Sequence, residues 1–292
     1  MHDALHATPG ELSKQAMLID GQWVSSLEDE WIAVENPAMR QAFALVPRAR
    51  SADVDRAVKA AGTAFSRWKK TSAAERGRLL YRIADAMEAA KEDLAKMISR
   101  ENGNALRTQS RGEAALAAEV FRYVAGLARE LKGHSMYLQP ETLDYTRREP
   151  YGVVGAIIPW NAPLVLAALK VAPALMTGNT MVLKASEEAP LAVLAMSKIC
   201  ADHLPAGVLN TITGYGAECG AAIAEHPMIP KISFTGSTAV GRSILAAASQ
   251  RVAAVTLELG GKSAQIVFPD VDCDFVTEGV ITAMRFSRQG QS

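Results

Sequence analysis

This 292-residue sequence has no excess of charge of either sign, few cysteines and no long unbroken apolar run. Its 31 Lys and Arg residues are balanced by 31 Asp and Glu residues, so the formal net charge is zero. Nucleic acids and anionic membranes bind proteins that carry a basic excess. We therefore expect neither of them as a partner.

The cysteines and the longest apolar stretch narrow the class of protein further. Cys200, Cys219 and Cys273 have no metal-ligand spacing and their number is odd, which favours reduced thiols in a cytoplasmic protein. Residues 151–183 are rich in apolar side chains but contain Lys170 and several prolines. A membrane-spanning helix needs about 20 nearly unbroken apolar residues, so a buried strand, loop and helix are predicted instead.

Helical periodicity is abundant in the first third of the chain. Ser72 and Glu75 have the spacing of a capping box, and Ser51 is the expected N-cap of an earlier helix. Three apolar stripes at helical spacing predict helices that pack into the core. Their members are Val54, Val58, Ala61 and Phe65; Leu79, Ile83, Met87, Leu94 and Ile98; and Leu116, Val120, Val124, Leu127 and Leu131. Residues 143–148 then alternate apolar and polar side chains, which predicts an exposed strand able to pair with another subunit.

From residue 151 onwards, strand-like runs alternate with helical segments. This alternation predicts an α/β fold with a parallel sheet covered by helices on both faces. Ligands of such sheets bind beyond the carboxyl ends of the strands, so the informative residues should follow each run. The runs are residues 153–158, 180–183, 208–213, 231–235, 252–258 and 264–268.

Asn161 follows the first run, in a loop between Pro159 and Pro163. A side-chain amide that a rigid loop holds in place can donate a hydrogen bond to a developing oxyanion. Asparagine is also common in ordinary turns. The segment alone does not decide between the two interpretations.

A carboxylate follows the second run, where Lys184 precedes Glu187. A glutamate in this position can accept hydrogen bonds from both hydroxyls of an adenosine ribose, and its negative charge repels a 2′-phosphate. Lys184 could donate to the same sugar. The alternative is an exposed glutamate at a helix start, capped by Ser186.

Glycines follow the third and fourth runs. The segment from Gly214 to Gly220 is one residue too long for the usual dinucleotide fingerprint and is a weak signal. Gly236 would let backbone approach a ligand, and Ser237 lies where a helix N-terminus would face a pyrophosphate. Gly241 would let that helix pack closely on its strand.

Glu258 follows the fifth run, beside Gly260 and Gly261. A carboxylate at the mouth of a sheet suits a general base that activates water, and burial there would raise its pKa. The alternative is a surface pair between this glutamate and a lysine such as Lys262.

Taken in order, these segments resemble the aldehyde dehydrogenase superfamily along essentially the whole chain. The matching motifs are Asn36-Pro37, Pro159-Trp160-Asn161, Gly178-Asn179-Thr180, Phe234-Thr235-Gly236-Ser237-Thr238, Glu258-Leu259-Gly260-Gly261-Lys262 and Gly290-Gln291. The resemblance implies an aldehyde dehydrogenase-like fold with a Rossmann-like parallel sheet, helices on both faces, an N-terminal helical segment and a partial catalytic domain. The implied division is residues 1–131 for the N-terminal helical part of the NAD-binding domain, 132–150 for an oligomerisation arm, 151–261 for the Rossmann-like NAD-binding domain and 262–292 for the start of a catalytic domain.

The resemblance also implies a role for each matching residue. Asn161 would stabilise the oxyanion and Glu258 would activate the hydrolytic water. Lys170 would take part in proton relay, unless it is a solvated helix lysine. Lys184 and Glu187 would hold the adenosine ribose and favour NAD over NADP. The remaining cofactor contacts would come from Ile157, Ile158, Pro159, Trp160, Gly220, Phe234, Gly236, Ser237, Val240, Leu259 and Gly260.

The implied reaction is the NAD-dependent oxidation of an aldehyde to a carboxylic acid through a cysteine thiohemiacetal and thioester. Its nucleophile is expected immediately after Ser292, so the sequence resembles a fragment that is inactive by itself. Cys273 lies among aspartates and is a poor substitute. Leu166 and Leu169 match the wall of the substrate tunnel, which indicates an apolar aldehyde. The arm indicates a homodimer or homotetramer in the complete protein.

Two other hypotheses for the function of this sequence remain open. The first is a non-catalytic, truncated nucleotide-binding protein or regulatory subunit. The second is a dinucleotide-dependent dehydrogenase of another family. The second is disfavoured because no glycine fingerprint follows the first strand, and because Asn161 and Glu258 would have no role in such an enzyme.

Overall fold

The computed structural model describes residues 12–284, and the Gly290-Gln291 motif that precedes the expected nucleophile lies outside them. The described strands are β1 (Ser13–Lys14), β2 (Met17–Ile19), β3 (Gln22–Val24), β4 (Trp31–Asn36), β5 (Gln41–Pro47), β6 (Ser135–Gln139), β7 (Thr142–Tyr145), β8 (Val153–Ile157), β9 (Thr180–Lys184), β10 (Leu209–Ile212), β11 (Lys231–Gly236) and β12 (Ala254–Leu259). The described α-helices are α1 (Ser51–Trp68), α2 (Ala73–Ala89), α3 (Lys91–Asn102), α4 (Arg111–Gly126), α5 (Pro163–Met176), α6 (Leu191–Ala201), α7 (Ala221–Glu225), α8 (Thr238–Ser249) and α9 (Cys273–Met284).

The main sheet has the strand order β12-β11-β8-β9-β10-β2-β3. All neighbouring pairs from β12 to β10 are parallel, whereas β2 and β3 continue the sheet in antiparallel pairing. The predicted α/β fold with a parallel sheet is therefore confirmed. β9 lies in the interior of this sheet and β12 forms one of its edges.

Side chains that alternate along the central strands fill two separate cores. Val154 and Ala156 of β8 pack into a core formed with α2 to α6. Val153 and Ile157 of the same strand pack into the other core, formed with α1, α7 and α8. This period of two places helices on both faces of the sheet, as the buried parallel arrangement requires.

Two of the predicted elements are wrong. Residues 13–47 form five short strands, although helical periodicity was expected throughout the first third. Residues 264–268 form no strand and are exposed, because β12 is the last strand on its side of the sheet among residues 12–284. An apolar run becomes a strand only where a neighbouring strand can pair with it.

The helix starts agree with the sequence in one case and differ in another. Ser72 is the N-cap of α2, and its Oγ accepts a hydrogen bond of 3.2 Å from the Glu75 amide. Arg50, and not Ser51, occupies the N-cap position of α1. The Asp53 carboxylate accepts from the Arg50 amide at 3.0 Å, so the third residue of the helix caps the start that Ser51 was expected to cap.

The third apolar stripe faces the core only in part, because Val124 is buried and Val120 packs against the core. Leu116, Leu127 and Leu131 are exposed, whereas α4 buries Phe121 and an alanine-rich face. These small side chains allow α4 to pack closely against α2 and α5. The stripe therefore identified part of the covered face of α4, and its last two members lie beyond the end of this helix.

The segment between α4 and β8 forms a hairpin. β6 and β7 pair in antiparallel fashion and every residue of both strands is exposed. The predicted exposed strand at residues 143–148 overlaps β7. No helix among the described residues is both long enough and apolar enough to cross a membrane.

Candidate active site

A cleft of about 720 Å³ opens where the carboxyl ends of β8, β11 and β12 meet. Its lining contains many of the predicted residues: Pro159, Trp160, Asn161, Lys170, Gly236, Ser237, Glu258, Leu259 and Gly260. Leu166 and Leu169, the predicted substrate-tunnel residues, line it as well. The fold thus brings the proposed oxyanion donor, general base and relay lysine to one place.

The other predicted cofactor residues lie outside this lining. Ile157, Ile158 and Phe234 are buried in the sheet, and Ile157 Cδ1 lies 4.0 Å from the position of a Cβ on Gly220. Val240 is half exposed in the first turn of α8. Lys184 and Glu187 form a separate group at the end of β9.

Two asparagines from the end of α3 hold the loop that carries Asn161. Asn102 Nδ2 donates to the Trp160 carbonyl at 3.3 Å, and Asn104 Nδ2 donates to the Asn161 carbonyl at 3.4 Å. Both asparagines are buried. These contacts fix the backbone of the loop, and the sequence offered no local signal for them.

A buried glutamate caps the helix that follows the loop. Glu113 Oε1 accepts from the Leu164 amide at 2.9 Å and from the Val165 amide at 3.4 Å, at the first turn of α5. Carboxylates are favourable at helix N-termini because they satisfy free amides and complement the helix dipole. Glu113 on α4 thereby fixes the start of α5 directly behind Asn161.

Lys170 is a buried residue on α5 and not the solvated helix lysine of the alternative reading. Its Nζ donates to Ser233 Oγ on β11 at 2.9 Å. Burial lowers the pKa of Lys170 to about 8, although the negative charge of Glu258 acts in the opposite direction. A lysine with such a pKa can exchange a proton near neutral pH.

Glu258 lies at the end of β12, opposite Thr235 of β11 in the parallel register. The expected burial is wrong, because Glu258 is exposed on an edge strand. Within residues 12–284, no salt bridge joins it to Lys262 or to another cation. The carboxylate faces the cleft with its oxygens accessible to water.

Lys184 and Glu187 form an ion pair at the end of β9, with 2.5 Å between Nζ and Oε2. Glu187 Oε1 also accepts from the Gly216 amide at 3.2 Å. Burial favours the protonated carboxyl, yet Lys184 and the backbone amides hold the pKa of Glu187 below its usual range. The pair is partly buried, which excludes the exposed helix-start glutamate of the alternative reading.

The glycines of β11 and α8 allow close packing at the cleft. A Cβ on Gly236 would lie 2.5 Å from the ring of Phe234, and a Cβ on Gly241 would lie 2.9 Å from Leu259 Cδ2. Gly241 therefore lets α8 approach β12, whereas the sequence predicted close packing on the strand that precedes the helix, β11. Ser237 is the N-cap of α8, and its Oγ accepts from the Val240 amide at 3.3 Å.

A second buried glutamate positions the helix after β9. Glu101 accepts from the Leu191 amide at 2.5 Å and from the Ala192 amide at 3.0 Å, at the start of α6. Burial raises the pKa of Glu101 to about 8, against the effect of the two amides. Glu101 and Glu113 therefore act alike: each caps the helix that follows a predicted ligand loop.

No cysteine among the three lines the cleft. Cys200 and Cys219 are buried, and burial raises the pKa of both thiols, that of Cys219 to about 12. Cys273 is exposed at the start of α9. The structure thus gives none of them the surroundings of an activated nucleophile.

Comparison with known proteins agrees with this geometry. A model of the aldehyde dehydrogenase family matches residues 23–292. The chain is 44% identical over 253 residues to acetaldehyde dehydrogenase 2 of Cupriavidus necator, a match that covers 87% of this chain and 50% of the relative. The chain spans about half the length of the curated relatives that it matches.

Solved structures of similar fold include enzymes with either nicotinamide cofactor. The NAD⁺ complex of an aldehyde dehydrogenase of Bacillus cereus is 38% identical, with a TM-score of 0.93 over 96% of this chain and 57% of that chain. An NADP-dependent enzyme of E. coli is 33% identical, with a TM-score of 0.93 over 96% of this chain and 58% of that chain. The family match over most of its length shows that the chain belongs to the aldehyde dehydrogenase family.

Proposed function

We propose that the protein oxidises an aldehyde to a carboxylic acid with NAD as the cofactor. One observation carries the proposal: Asn161, Lys170 and Glu258, which are far apart in the sequence, line one cleft at the carboxyl ends of parallel strands. An amide donor, a lysine of lowered pKa and a solvated carboxylate are the groups that acyl chemistry with a hydrolytic step needs.

The residues around the cleft fit a dinucleotide. Gly236 has no side chain, so its backbone is accessible to a ligand, whereas a Cβ there would collide with Phe234. The capped N-terminus of α8 follows directly, and a helix N-terminus suits a pyrophosphate. Glu187 and Lys184 lie at the end of the interior strand β9, where an adenosine ribose would bind. When bound, NAD supplies the hydride acceptor.

Asn161 has the role of oxyanion donor in this proposal. Its loop is fixed by Asn102 and Asn104, and Glu113 fixes the helix behind it. A donor held in advance stabilises negative charge on the carbonyl oxygen without reorganising during the reaction. The rigidity of the loop therefore supports the role as much as the amide itself.

Glu258 is the proposed general base and Lys170 the proposed proton relay. The exposed carboxylate can accept a proton from water, which then attacks the acyl group. Lys170 lies close enough to Glu258 for the two charges to influence each other, and its pKa of about 8 suits transfer in either direction. Ser233 orients the lysine through the hydrogen bond to Nζ.

The covalent step requires a thiolate, which attacks the aldehyde to form a thiohemiacetal and later a thioester. Cys200 and Cys219 are buried and Cys273 does not line the cleft, so we assign the role to none of them.

The finer assignments are proposals of the same kind. Glu187 favours NAD over NADP because a carboxylate repels a 2′-phosphate. Leu166 and Leu169 favour an apolar chain on the aldehyde near the cleft. The exposed β6–β7 hairpin supports assembly into a homodimer or homotetramer, and the reduced cysteines support a cytoplasmic location. The domain division at residues 131, 150 and 261 also stays a proposal.

The test is NADH formation by the protein expressed from its whole gene, followed at 340 nm with a series of aldehydes. We expect NADH with NAD and an aldehyde, and slower turnover with NADP. NAD binding without NADH formation for any aldehyde would instead support the non-catalytic nucleotide-binding protein. Absence of both binding and turnover would contradict both readings.

A further inference from the structure

A second cavity, of about 300 Å³, shares Asn161 with the cleft. Its wall includes Gln109, Glu113, Leu116 and Val165, and we call it the Gln109 cavity. The volume is that of a small ligand site and about ten times the space that one liquid water occupies. A group that extends from a carbonyl held at Asn161 can therefore reach into it.

Gln109 is the unusual residue of this cavity. The residue is only 7% exposed, and both Nε2 and Oε1 are buried without a hydrogen-bond partner. A buried polar group that lacks a partner is costly, so such groups normally bind another group. A group that enters the cavity can supply the missing hydrogen-bond partner of this amide.

Two neighbouring polar residues in the same wall already form hydrogen bonds within the fold. Asn104 donates to the Asn161 carbonyl, and Glu113 accepts from two backbone amides of α5. Gln109 lies in the π-helical turn that joins α3 to α4, between these two residues. Turns of this kind often occur at functional sites, because they rotate one side chain out of the regular helical pattern.

We propose, on the basis of the proposed function, that the Gln109 cavity holds the part of the aldehyde beyond its carbonyl and that the Gln109 amide selects a neutral hydroxyl group there. An amide both donates and accepts, which matches the two capacities of a hydroxyl. The Glu113 carboxylate in the same wall disfavours an anionic group. The preferred substrate is thus a hydroxylated aldehyde over its equally sized alkyl counterpart.

The experiment compares kcat/KM for two pairs of aldehydes with equal numbers of non-hydrogen atoms. The pairs are 3-hydroxypropanal with butanal and 2-hydroxypropanal with 2-methylpropanal, which place the hydroxyl at two distances from the carbonyl. The values of kcat/KM for both pairs are measured for the whole gene product and for its Gln109→Met variant. This substitution keeps the length of the side chain and removes its amide. Gln22→Met on the exposed edge strand β3 is the matched control.

We expect the parent to prefer the hydroxylated member of at least one pair by about tenfold, and Gln109→Met to abolish that preference while alkyl aldehydes react as before. The variant should unfold at an equal or higher temperature, because it no longer buries an unpaired amide. Gln22→Met should keep the parental preference.

Two outcomes overturn the inference, and they differ from failure of the proposed function. Equal kcat/KM for both members of each pair in the parent, or an equal loss on both members in Gln109→Met, would show that Gln109 only shapes the loop or binds a resident water. Absence of NADH with every aldehyde would reject the proposed function itself, together with the inference.

Discussion

The two ends of the proposed cofactor site follow strands of the same sheet but are built differently. Lys184 ends β9, which lies between β8 and β10, and is buried. Glu187 lies three residues later, is partly buried and is already paired with Lys184. Glu258 is the residue before the last of β12, an edge strand among residues 12–284, and within these residues it is exposed and has no ion pair. The position of a strand in the sheet decides how much solvent its last residues meet.

This difference in burial matches a difference in proposed task. A partly buried ion pair is fixed in advance and suits recognition of a sugar, because little side-chain freedom remains to be lost on binding. A solvated carboxylate suits proton transfer to and from water. Substitution of Glu258, at the catalytic end, should therefore alter reaction rates. Substitution of Glu187, at the adenosine end, should alter cofactor affinity.

The largest effect is expected for Glu258→Gln. The amide cannot accept the proton of the attacking water, so steady-state turnover should fall about 100-fold or more while NAD affinity stays the same. The first turnover of NADH should persist, because it precedes hydrolysis. Stopped-flow absorbance at 340 nm separates the two phases. Glu88→Gln, at a partly exposed position of α2, is the control. A burst and a steady-state rate in Glu258→Gln that both equal those of the parent would show that Glu258 is not the base.

Lys170→Met should change stability with a distinctive pH dependence. Below pH 8 the folded parent keeps a buried charge, which is costly, and the variant should be more stable by up to about 3 kcal/mol. Between pH 8 and 10.5 the unfolded chain binds more protons than the folded one, so the parent gains stability as pH rises. The advantage of the variant should therefore vanish by about pH 10.5.

Urea unfolding at pH 7, 9 and 10.5 measures this difference. Lys96→Met, at an exposed position of α3, is the matched control and should show no such trend. A difference between Lys170→Met and the parent that stays constant over this pH range would mean that the Lys170 charge is not the cause.

Glu187→Gln should alter the choice of cofactor. The variant loses the charge that repels a 2′-phosphate, so the ratio of NAD to NADP affinity should fall about tenfold. The amide oxygen can still accept from Lys184, which limits the structural change. Titration calorimetry with both cofactors measures the ratio. Glu188→Gln, the exposed neighbour, should leave it unchanged, and equal affinities for NAD and NADP in the parent would contradict the role of Glu187.

Ser237→Ala should have the smallest effect. Loss of the N-cap of α8 should lower the free energy of unfolding by about 1 kcal/mol. Ser72→Ala removes the N-cap of α2, far from the cleft, and should cost a similar amount. Only Ser237→Ala should also weaken NAD binding. Equal NAD affinity in the two variants would show that the start of α8 does not contribute to NAD binding.

Local sequence patterns predicted the residues that end strands, because strand and loop are neighbours in the chain. The Asn161 loop and the position of Glu258 follow from such patterns. Burial was less predictable. Glu258 was expected to be buried and is exposed, because the order of strands in a sheet is not written in any one segment.

The contacts that fix the site could not be predicted. Asn104, Glu101 and Glu113 reach loops or helix starts that lie between 51 and 91 residues away in the chain. A side chain that binds a distant backbone group leaves no periodicity in its own segment. The unpaired amide of Gln109 is likewise visible only in three dimensions.

The most direct test of the account is a crystal structure of the protein with NAD. We predict that the adenosine ribose hydroxyls lie within hydrogen-bond distance of the Glu187 carboxylate and that the nicotinamide ring occupies the cleft between Asn161 and Glu258. An adenosine bound away from the end of β9, or a nicotinamide ring outside this cleft, would contradict the assignment of binding to one end and chemistry to the other.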